Sequence, residues 1–448
     1  MGAGKVLKTC GCVGADGRRL NQRCPKLRRP NGSYAPGHGS YGYRWAFTDA
    51  TGKRRHLSKS GFSTRDDAQA ALDKVRRSHA QGIDVANRQT LGEYLDEWLA
   101  SKYDLKESSR SQYRGYIDRV LRPHIGKIPL SDLRPQHVTR GLEDYLRTPG
   151  RARTKNNGLT TTQRARAVLR SALTDAVKDG LVERNAAGLA RVRSSPRAKA
   201  RVWTHALEEE WRAEVQKLVD AGMTLRDARK HAPRPSGVMV LRPDHLAVLL
   251  DHVADTRDYA LWLMLCTRGL RRGEVAGLRW SSIDLEHGSA TIERARVSVR
   301  GVVREETPKT QNSVRTIALG DDLTAALRAH RATQAREELA GGFRTPYVFT
   351  TPAGQPRDPN KLSHAFKRLL FDLDLPVCHL HTLRHAAASL AIKANVPMKV
   401  LQAQLGHANL STTADIYSSV YADIHHDAAN ATSDVLRQAR RKDASDRA

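Results

Sequence analysis

Long apolar runs, cysteines and aromatic residues are scarce in this sequence of 448 residues. No uninterrupted apolar run approaches the roughly 18 residues of a membrane-spanning helix, and no apolar segment of a secretion signal follows the start. The five cysteines are typical of reduced thiols in the cytosol. We therefore expect a cytoplasmic protein with free thiols and no membrane partner.

Aromatic residues make up only 5% of the chain, whereas apolar residues as a whole make up 40%. Leucine, valine and alanine must therefore fill the hydrophobic cores. The chain is too long for one ordinary domain, and its length predicts about three.

Acidic residues are also few. The chain has 47 Asp and Glu but 75 Lys and Arg, which gives a formal net charge of +28. This excess has two interpretations. One is a generally basic, solubilising surface, and the other is a polyanion partner that is bound through phosphate contacts. We favour the polyanion, and DNA is then the expected partner.

The first 40 residues are rich in Gly, Arg and Pro and have no hydrophobic periodicity. Cys10, Cys12 and Cys24 lie in this segment, and His38 adds a fourth side chain of a metal-ligand type. Their spacing matches no common zinc pattern, and a double C-x-x-C is absent. We favour a flexible basic arm over residues 1–40 and keep zinc binding as the alternative.

A small basic module is predicted over residues 41–88. Alternating apolar residues predict two strands joined by a turn near Gly52, and a helix begins near Thr64. Basic residues of this hairpin are candidates for contact with a DNA groove, namely Arg44, Lys53, Arg54 and Arg55. The alternative interpretation is a solvated face of the hairpin.

Residues 89–190 have apolar stripes at helical spacing and predict a helical bundle. Its last helix, from about residue 160, carries arginines opposite the apolar stripe, as a DNA clamp would: Arg164, Arg166 and Arg170. Residues 191–240 read as a basic linker or insertion that includes one polar helix. Residues 241–425 mix helices with strands, and residues 426–448 form a polar tail.

The mixed region contains residue types that suit one reaction. They are, in chain order, Arg271, Lys309, His381, Arg384, His407 and Tyr417. Arginine forks bind non-bridging phosphate oxygens, a lysine can protonate a leaving alkoxide, and a tyrosine can form a covalent intermediate. The set therefore suits attack of a phenol on a DNA phosphodiester without metal or nucleotide.

The local sequence supports the same site. Gly269 allows a turn that puts Arg271 at the start of a helix, where anions are favoured, and Glu274 can orient an arginine. His381 and Arg384 lie on one helical turn, which lacks the glutamate of the zinc hydrolase motif H-E-x-x-H. Tyr417 alone would be an ordinary core or rim residue, so only the combination argues for catalysis.

Four stretches of this region resemble the catalytic domain of the tyrosine recombinases, specifically the phage-type site-specific integrases. They are Gly269–Glu274, Thr307–Arg315, His381–His385, and Leu405 through to Tyr417. Residues 41–80 resemble the arm-binding domain of that family, and residues 90–190 its core-binding domain. The resemblance implies a multidomain, mainly α fold with small β-sheets: an N-terminal β-β-(β)-α arm-binding module, a helical core-binding domain and a mixed α/β catalytic domain.

The resemblance also implies how the strand is cut. By position in the motifs, Tyr417 would attack the scissile phosphate, form a 3′-phosphotyrosine and free a 5′-hydroxyl. Lys309 would protonate the leaving oxygen, and His381 would assist proton transfer with the tyrosine hydroxyl. Because the phosphotyrosine conserves the bond energy, no cofactor, ATP or metal is implied for the reaction.

Other residues of the motifs would hold the phosphate. Arg271 and Arg384 would bind the non-bridging oxygens, and His407 would donate a hydrogen bond to the phosphate. Glu274 would support the geometry of the site. All six catalytic positions are filled, which implies an active enzyme.

The implied function is the integration of a phage or integrative element at an attachment site. The implied partners are double-stranded attachment-site DNA and a homotetramer, with room for a directionality factor and a DNA-bending accessory protein. Two other functions share parts of the pattern. A type IB topoisomerase is disfavoured by the N-terminal module, and a DNA-binding regulator with an inert domain is disfavoured by the filled site.

Overall fold

The computed structural model describes residues 4–49, 52–85, 88–148, 155–194, 200–306 and 314–406. The chain divides into two compact units, Met1–Pro196 and Arg197–Ala448. Among the described residues, no helix is both long and apolar enough to cross a membrane.

The first unit begins with an antiparallel sheet packed against one helix. Its strands are β1 Lys5–Thr9, β2 Ser40–Thr48 and β3 Arg54–Phe62, in the order β1-β2-β3, and the helix is α1 Arg65–Ala80. The alternation of β2 buries three aromatic side chains against Leu72 of α1, namely Tyr43, Trp45 and Phe47. Thr64 begins α1, because its side chain accepts a hydrogen bond from the Asp67 amide.

The start of the chain corrects the expectation of a flexible arm over residues 1–40. Strand β1 pairs with β2 from Lys5 opposite Arg44 to Thr9 opposite Ser40, so the third strand of the module precedes the predicted hairpin. Lys8 is buried, and its Nζ donates a hydrogen bond to the carbonyl of Ala35 over 2.6 Å. A five-residue strand that contains two lysines has too little apolar pattern to be found from sequence.

The rest of the first unit is helical, with a core that lies between the helices. Its helices are α2 Leu91–Ala100, α3 Glu107–Tyr116, α4 Arg122–Ile125, α5 Pro135–Arg147, α6 Lys155–Lys178 and α7 Ala186–Leu189. The predicted stripe of α2 is buried, and two polar atoms in it have partners on α6. The Tyr94 hydroxyl donates to the Ala172 carbonyl over 2.7 Å, and Trp98 Nε1 donates to Asp175 over 2.8 Å.

The second unit begins with residues that were expected to be a basic linker or insertion. Strand β4 Ala200–Val202 pairs in parallel with β5 Val238–Val240, and α8 His205–Asp220 and α9 Leu225–His231 connect them. Trp203 and Trp211 are buried in the main core of this unit. Of the two predicted alternatives for residues 191–240, the linker is corrected for residues 200–240, because their tryptophans are core residues of the second unit. The predicted polar helix is α8.

The remaining elements of the second unit surround helix α11. The helices are α10 Pro243–Val253, α11 Tyr259–Arg268, α12 Arg272–Ala276, α13 Asp321–Gly341, α14 Pro359–Asp372, α15 Thr382–Lys393 and α16 Met398–Leu405. Helix α11 is buried over almost all of its length and packs against α10, α13 and α15. Its apolar residues therefore fix the start of the following turn.

Five short strands complete the second unit. They are β6 Ile283–Asp284, β7 Ser289–Ile292, β8 Ala295–Val299, β9 Val302–Glu306 and β10 Arg315–Ala318. Strands β10, β7 and β6 form one antiparallel sheet, and β8 and β9 form a hairpin. The predicted fold class, with a small N-terminal sheet, a helical domain and a mixed α/β domain, is confirmed.

Candidate active site

The turn between α11 and α12 requires a glycine. Gly269 ends α11 with a φ of 63°, in the left-handed region. A Cβ at this position would lie 3.1 Å from the Cβ of Ala387 and 3.4 Å from the Cα of Arg384. The turn therefore lies directly against α15 and places Arg271 at the N-cap of α12.

The carboxylate of Glu274 accepts hydrogen bonds from both the main chain and the side chain of Arg271. The Arg271 amide donates to Glu274 Oε2 over 2.8 Å, and Arg271 Nη1 donates to Oε1 over 2.6 Å. Arg271 Nη2 also donates to the Gly406 carbonyl over 3.3 Å. The Glu274 side chain is 8% exposed and that of Arg271 is 41% exposed, so the carboxylate is buried beneath a guanidinium that reaches the surface.

Arg315, on β10, binds the same carboxylate from inside the protein. Its Nη2 donates to Glu274 Oε2 over 2.9 Å, and its Nε donates to the Gln404 carbonyl over 2.7 Å. Arg315 lies in the stretch Thr307–Arg315 that matches the family, but no role could be assigned to it from its sequence, because its pairing with Glu274 spans 41 residues of the chain.

Arg384 lies on the first turn of α15 and is 2% exposed. Its guanidinium donates to the carbonyl of Gly269 over 2.9 Å and to that of Leu405. These two carbonyls end α11 and α16, so Arg384 holds both helix ends at the site. Among the described residues, these bonds use two of the five N–H donors of its guanidinium.

The site has more positive than negative charge, since it contains Arg271, Arg315 and Arg384 but only one carboxylate, that of Glu274. Burial raises the pKa of Glu274, but hydrogen bonds and charge from Arg315, with the charge of Arg271, outweigh burial and lower the pKa to about 2. Burial and the charge of Arg271 lower the pKa of Arg384 to about 9, which leaves it protonated at neutral pH. Three guanidinium groups therefore surround one carboxylate, and the cluster is suited to an additional anion.

Two histidines lie beside Arg384. The rings of His381 and His385 meet edge to face, with centroids 5.5 Å apart. Desolvation and the charges of Arg384 and Arg271 lower the pKa of His381, although water screens part of this effect because the residue is exposed. Burial, then the charges of His381 and Arg384, lower the pKa of His385 to about 4, so His385 is neutral at pH 7.

Three of the predicted catalytic residues, Lys309, His407 and Tyr417, lie outside the described residues. The structure places the described neighbours of two of them. Lys309 lies in the sequence between β9 and β10, and β10 begins with Arg315. His407 follows Gly406, whose carbonyl accepts the hydrogen bond from Arg271.

The predicted DNA-contact residues of the hairpin do not all share one face. Directly paired residues of antiparallel strands point to the same side, so Arg54, opposite Thr48, lies on the sheet face that carries Arg44. Arg55 is opposite Phe47, on the side of α1, and forms an ion pair with Asp49 over 2.9 Å. Lys53 lies in the turn before β3.

The structure adds a basic residue to the sheet face that carries Arg44 and Arg54. Lys5 of β1 is exposed and lies directly opposite Arg44. Lys5 was not among the predicted DNA-contact residues, because residues 1–40 were expected to be a flexible arm.

The predicted arginines of α6 also differ in their surroundings. Arg164 and Arg170 are exposed. Arg166 donates to the carbonyls of Ala187 and Gly188, over 2.8 Å and 3.0 Å. Arg166 therefore fixes α7 against α6 with two of its five N–H donors.

The four N-terminal metal-ligand residues come together in the structure. One ligand atom from each of Cys10, Cys12, Cys24 and His38 lies within 4.8 Å of the others. The structure therefore removes the preference for a flexible arm, since Lys5–Thr9 forms a strand and the four ligand side chains converge.

Three family models match this chain in the order of its predicted domains. The arm DNA-binding domain matches residues 35–77, and the N-terminal SAM-like domain of phage integrases matches residues 90–143. The phage integrase family matches residues 239–423.

Individual proteins agree with these matches. A XerC-like tyrosine recombinase of Caldanaerobacter subterraneus is 34% identical over 176 residues, which are 36% of this chain and 45% of that protein. The chain thus spans under half of the length of that relative. An integrase of Streptomyces ambofaciens is 24% identical over 84% of this chain and 89% of its own.

A solved structure of a lambda integrase dimer bound to a core site resembles the fold of this chain. It has a TM-score of 0.50 and 17% identity, and the match covers 88% of this chain and 95% of that one. The family models, the relatives and the fold agree. This chain therefore belongs to the phage integrase family of tyrosine recombinases, with an arm-binding, a SAM-like core-binding and a catalytic domain.

Proposed function

We propose that this protein is a site-specific DNA recombinase that integrates a phage or integrative element at an attachment site. The observation that carries the proposal is the cluster of Arg271, Arg315 and Arg384 around the single carboxylate of Glu274. Its excess positive charge lies at the meeting point of α11, α12, α15 and α16. A scissile phosphodiester supplies the missing anion.

The proposed reaction uses the tyrosine as nucleophile. The Tyr417 oxygen bonds to phosphorus as the bond to the 5′-oxygen breaks, and Lys309 gives that oxygen a proton. The tyrosine proton is lost with the help of His381. The reverse attack by a 5′-hydroxyl of the partner duplex releases Tyr417 and joins the exchanged strands.

The phosphate is bound by the remaining residues of the motifs. The exposed guanidinium of Arg271 and the unused donors of Arg384 bind the non-bridging oxygens and stabilise the charge of the pentavalent transition state. Glu274 and Arg315 hold Arg271 in place. His407, which follows Gly406 directly, adds a hydrogen bond to the phosphate.

Each domain has its own proposed role in DNA binding or catalysis. Residues 41–88 bind arm-type DNA, residues 89–190 bind the core site, and residues 241–425 carry the chemistry. The active assembly is a homotetramer on two double-stranded attachment sites, and the tail 426–448 packs on a neighbouring protomer. The family match and the positive charge of the chain support this arrangement.

The test uses a nicked duplex that carries the attachment core without arm sites. The nick lets the cut fragment diffuse away and traps the covalent protein–DNA intermediate, which is resolved on a denaturing gel with chelator present. Wild type is compared with Tyr417→Phe and with Tyr421→Phe, a matched control four residues later. We expect a covalent band for wild type and Tyr421→Phe and none for Tyr417→Phe.

Other outcomes would contradict the proposal in different ways. A band that persists in Tyr417→Phe would assign another nucleophile, and a band that requires metal would refute the metal-free mechanism. Tight DNA binding with no band from any variant would favour an inert regulator. Relaxation of a supercoiled plasmid that lacks the attachment site would favour a type IB topoisomerase.

A further inference from the structure

We propose that Cys10, Cys12, Cys24 and His38 bind one structural zinc ion, and that this ion orders residues 10–39 beside the arm-binding sheet. The site is remote in sequence from the residues of the proposed reaction. The inference therefore stands independently of the proposed recombinase activity.

The distances between the ligand atoms fit a tetrahedral metal site. His38 Nε2 lies 3.5 Å from Cys12 Sγ and 3.5 Å from Cys24 Sγ. A zinc ion with bonds of about 2.3 Å to sulfur and about 2.0–2.1 Å to nitrogen at the tetrahedral angle separates these atoms by about 3.6 Å. All four ligand atoms lie within 4.8 Å of one another, so one ion can contact them together.

The backbone holds the first and last ligands side by side. Cys10 follows β1, and His38 lies two residues before β2, whose first residue, Ser40, is paired with Thr9. Gly39 has a φ of 76°, and a Cβ there would lie only 2.5 Å from the carbonyl oxygen of Thr9. His38 is therefore placed by a turn that only glycine can make at this contact.

The other two ligands are placed by hydrogen-bonded turns. The Cys12 carbonyl accepts from the Leu20 amide over 2.8 Å, at the base of a small hairpin. Cys24 lies between two 3-10 turns, Asn21–Arg23 and Pro25–Leu27, and its carbonyl accepts from the Leu27 amide over 3.1 Å. Cys24 is buried and Cys12 is half-buried, as expected for ligands of a closed structural site.

Residues 10–39 have little else that would order them. Their hydrophobic cluster consists of the three cysteines, with Leu27 buried and Leu20 partly buried. Segments with so small a core are usually held by disulfides or a metal, and the described cysteines are all free thiols. Three thiolates and one imidazole form a set that zinc prefers, whereas magnesium and calcium require oxygen ligands.

The binding test uses the full-length protein. We expect one zinc ion per chain after purification, and replacement by cobalt should give the intense visible absorption of a tetrahedral site with thiolate charge transfer. Cys24→Ser and His38→Ala should each weaken zinc binding by more than the ~10–100-fold that loss of an outer-shell partner costs. His56→Ala, an exposed histidine of the same sheet, should still bind one ion.

A second measurement tests the structural role. Trypsin should cleave after the arginines of this segment much faster once zinc is removed by a chelator, and re-addition of zinc should restore protection. The sites are Arg18, Arg19, Arg23 and Arg28. The same chelator should leave cleavage of the nicked core site by Tyr417 unchanged, so loss of zinc and loss of recombinase chemistry are distinguishable.

Four results would overturn the zinc site. The first is a protein that holds no zinc when zinc is in excess, and the second is Cys24→Ser and His38→Ala variants that bind zinc as tightly as wild type. The third is a disulfide among Cys10, Cys12 and Cys24 in the purified chain. The fourth is octahedral cobalt absorption without thiolate charge transfer, which would assign the metal to other ligands.

Discussion

Replacing Glu274 by glutamine should destabilise the second unit because the carboxylate holds two arginines. The substitution keeps the size of the side chain but removes its charge and replaces one acceptor oxygen by an NH₂ donor. That donor would face the donors of Arg271 or Arg315. Three guanidinium groups would then lie together without an acidic partner among the described residues.

The size of the effect follows from the pKa of Glu274. A folded pKa of about 2, against an ordinary value of 4.5, corresponds to about 3 kcal/mol of stability at neutral pH. Removal of one partner of a buried ion pair typically costs about 3–5 kcal/mol, which is the same order. For a unit of this size the melting temperature should fall by about 6–12 °C.

The sign of the pH dependence is also fixed. Since the folded pKa lies below the ordinary value, the stabilisation is present above about pH 4.5 and is lost as the pH falls towards 2. The difference in stability between wild type and Glu274→Gln should therefore be full at pH 7 and shrink steadily below pH 4.5.

Urea unfolding of the full chain, followed by tryptophan fluorescence between pH 3 and pH 7, measures this difference. Four of the six tryptophans lie in the second unit and report on it, namely Trp203, Trp211, Trp262 and Trp280. Glu286→Gln is the matched control, because Glu286 is exposed in the same unit and should change stability by less than ~0.5 kcal/mol. Equal stability of Glu274→Gln and wild type at pH 7 would refute the reasoning.

Four further predictions concern other parts of the chain. Lys309→Ala should slow strand cleavage, and a substrate with sulfur as the leaving 5′-atom should restore the rate, since a thiolate leaves without a proton; failure of this rescue would remove Lys309 as the acid. Arg44→Ala should lower the salt dependence of arm-site binding by about one phosphate contact, whereas Arg55→Ala, already paired with Asp49, should lower it less. Trp211→Ala should cost about 3–5 kcal/mol in urea unfolding, and a cost below 1 kcal/mol would contradict its place in the core. Removal of the residues after 425 should leave DNA binding intact and weaken synapsis, and unchanged recombination would refute the tail's role.

Features that depend on nearby residues were predictable from the sequence. The apolar stripes of residues 89–190 predicted a helical bundle, and helices α2 to α7 lie there, because a buried face recurs every three or four residues. Gly269 predicted the turn before Arg271, since glycine adopts a positive φ more readily than other residues, and its φ is positive in the structure. Strands β7 and β8 are separated by only two residues, yet they belong to different sheets, because the chain leaves one sheet after Ile292 and enters a hairpin at Ala295.

Features that depend on distant residues were not predictable. Strand β1 is defined by its pairing with β2 over a gap of 30 residues between Thr9 and Ser40. Residues 200–240 were interpreted as part of a basic linker or insertion because they follow a basic stretch and contain the break at Pro233 and Pro235. Only the fold shows that Trp203 is fully buried. The sequence supplied three cysteines and a histidine but could not supply the distances that join them.

Arg315 shows why the candidate site depends on long-range structure. It bonds to Glu274 of α12 and to the Gln404 carbonyl near the end of α16, and so joins three elements that are distant in sequence. Strand β10, which begins at Arg315, follows the segment with Lys309, and α16 ends just before His407. Arg315 therefore contacts the chain close to both segments, the one that contains Lys309 and the one that contains His407. Loss of Arg315 should consequently impair the positioning of both Lys309 and His407. Loss of a residue that acted only through Arg271 would not have this double effect.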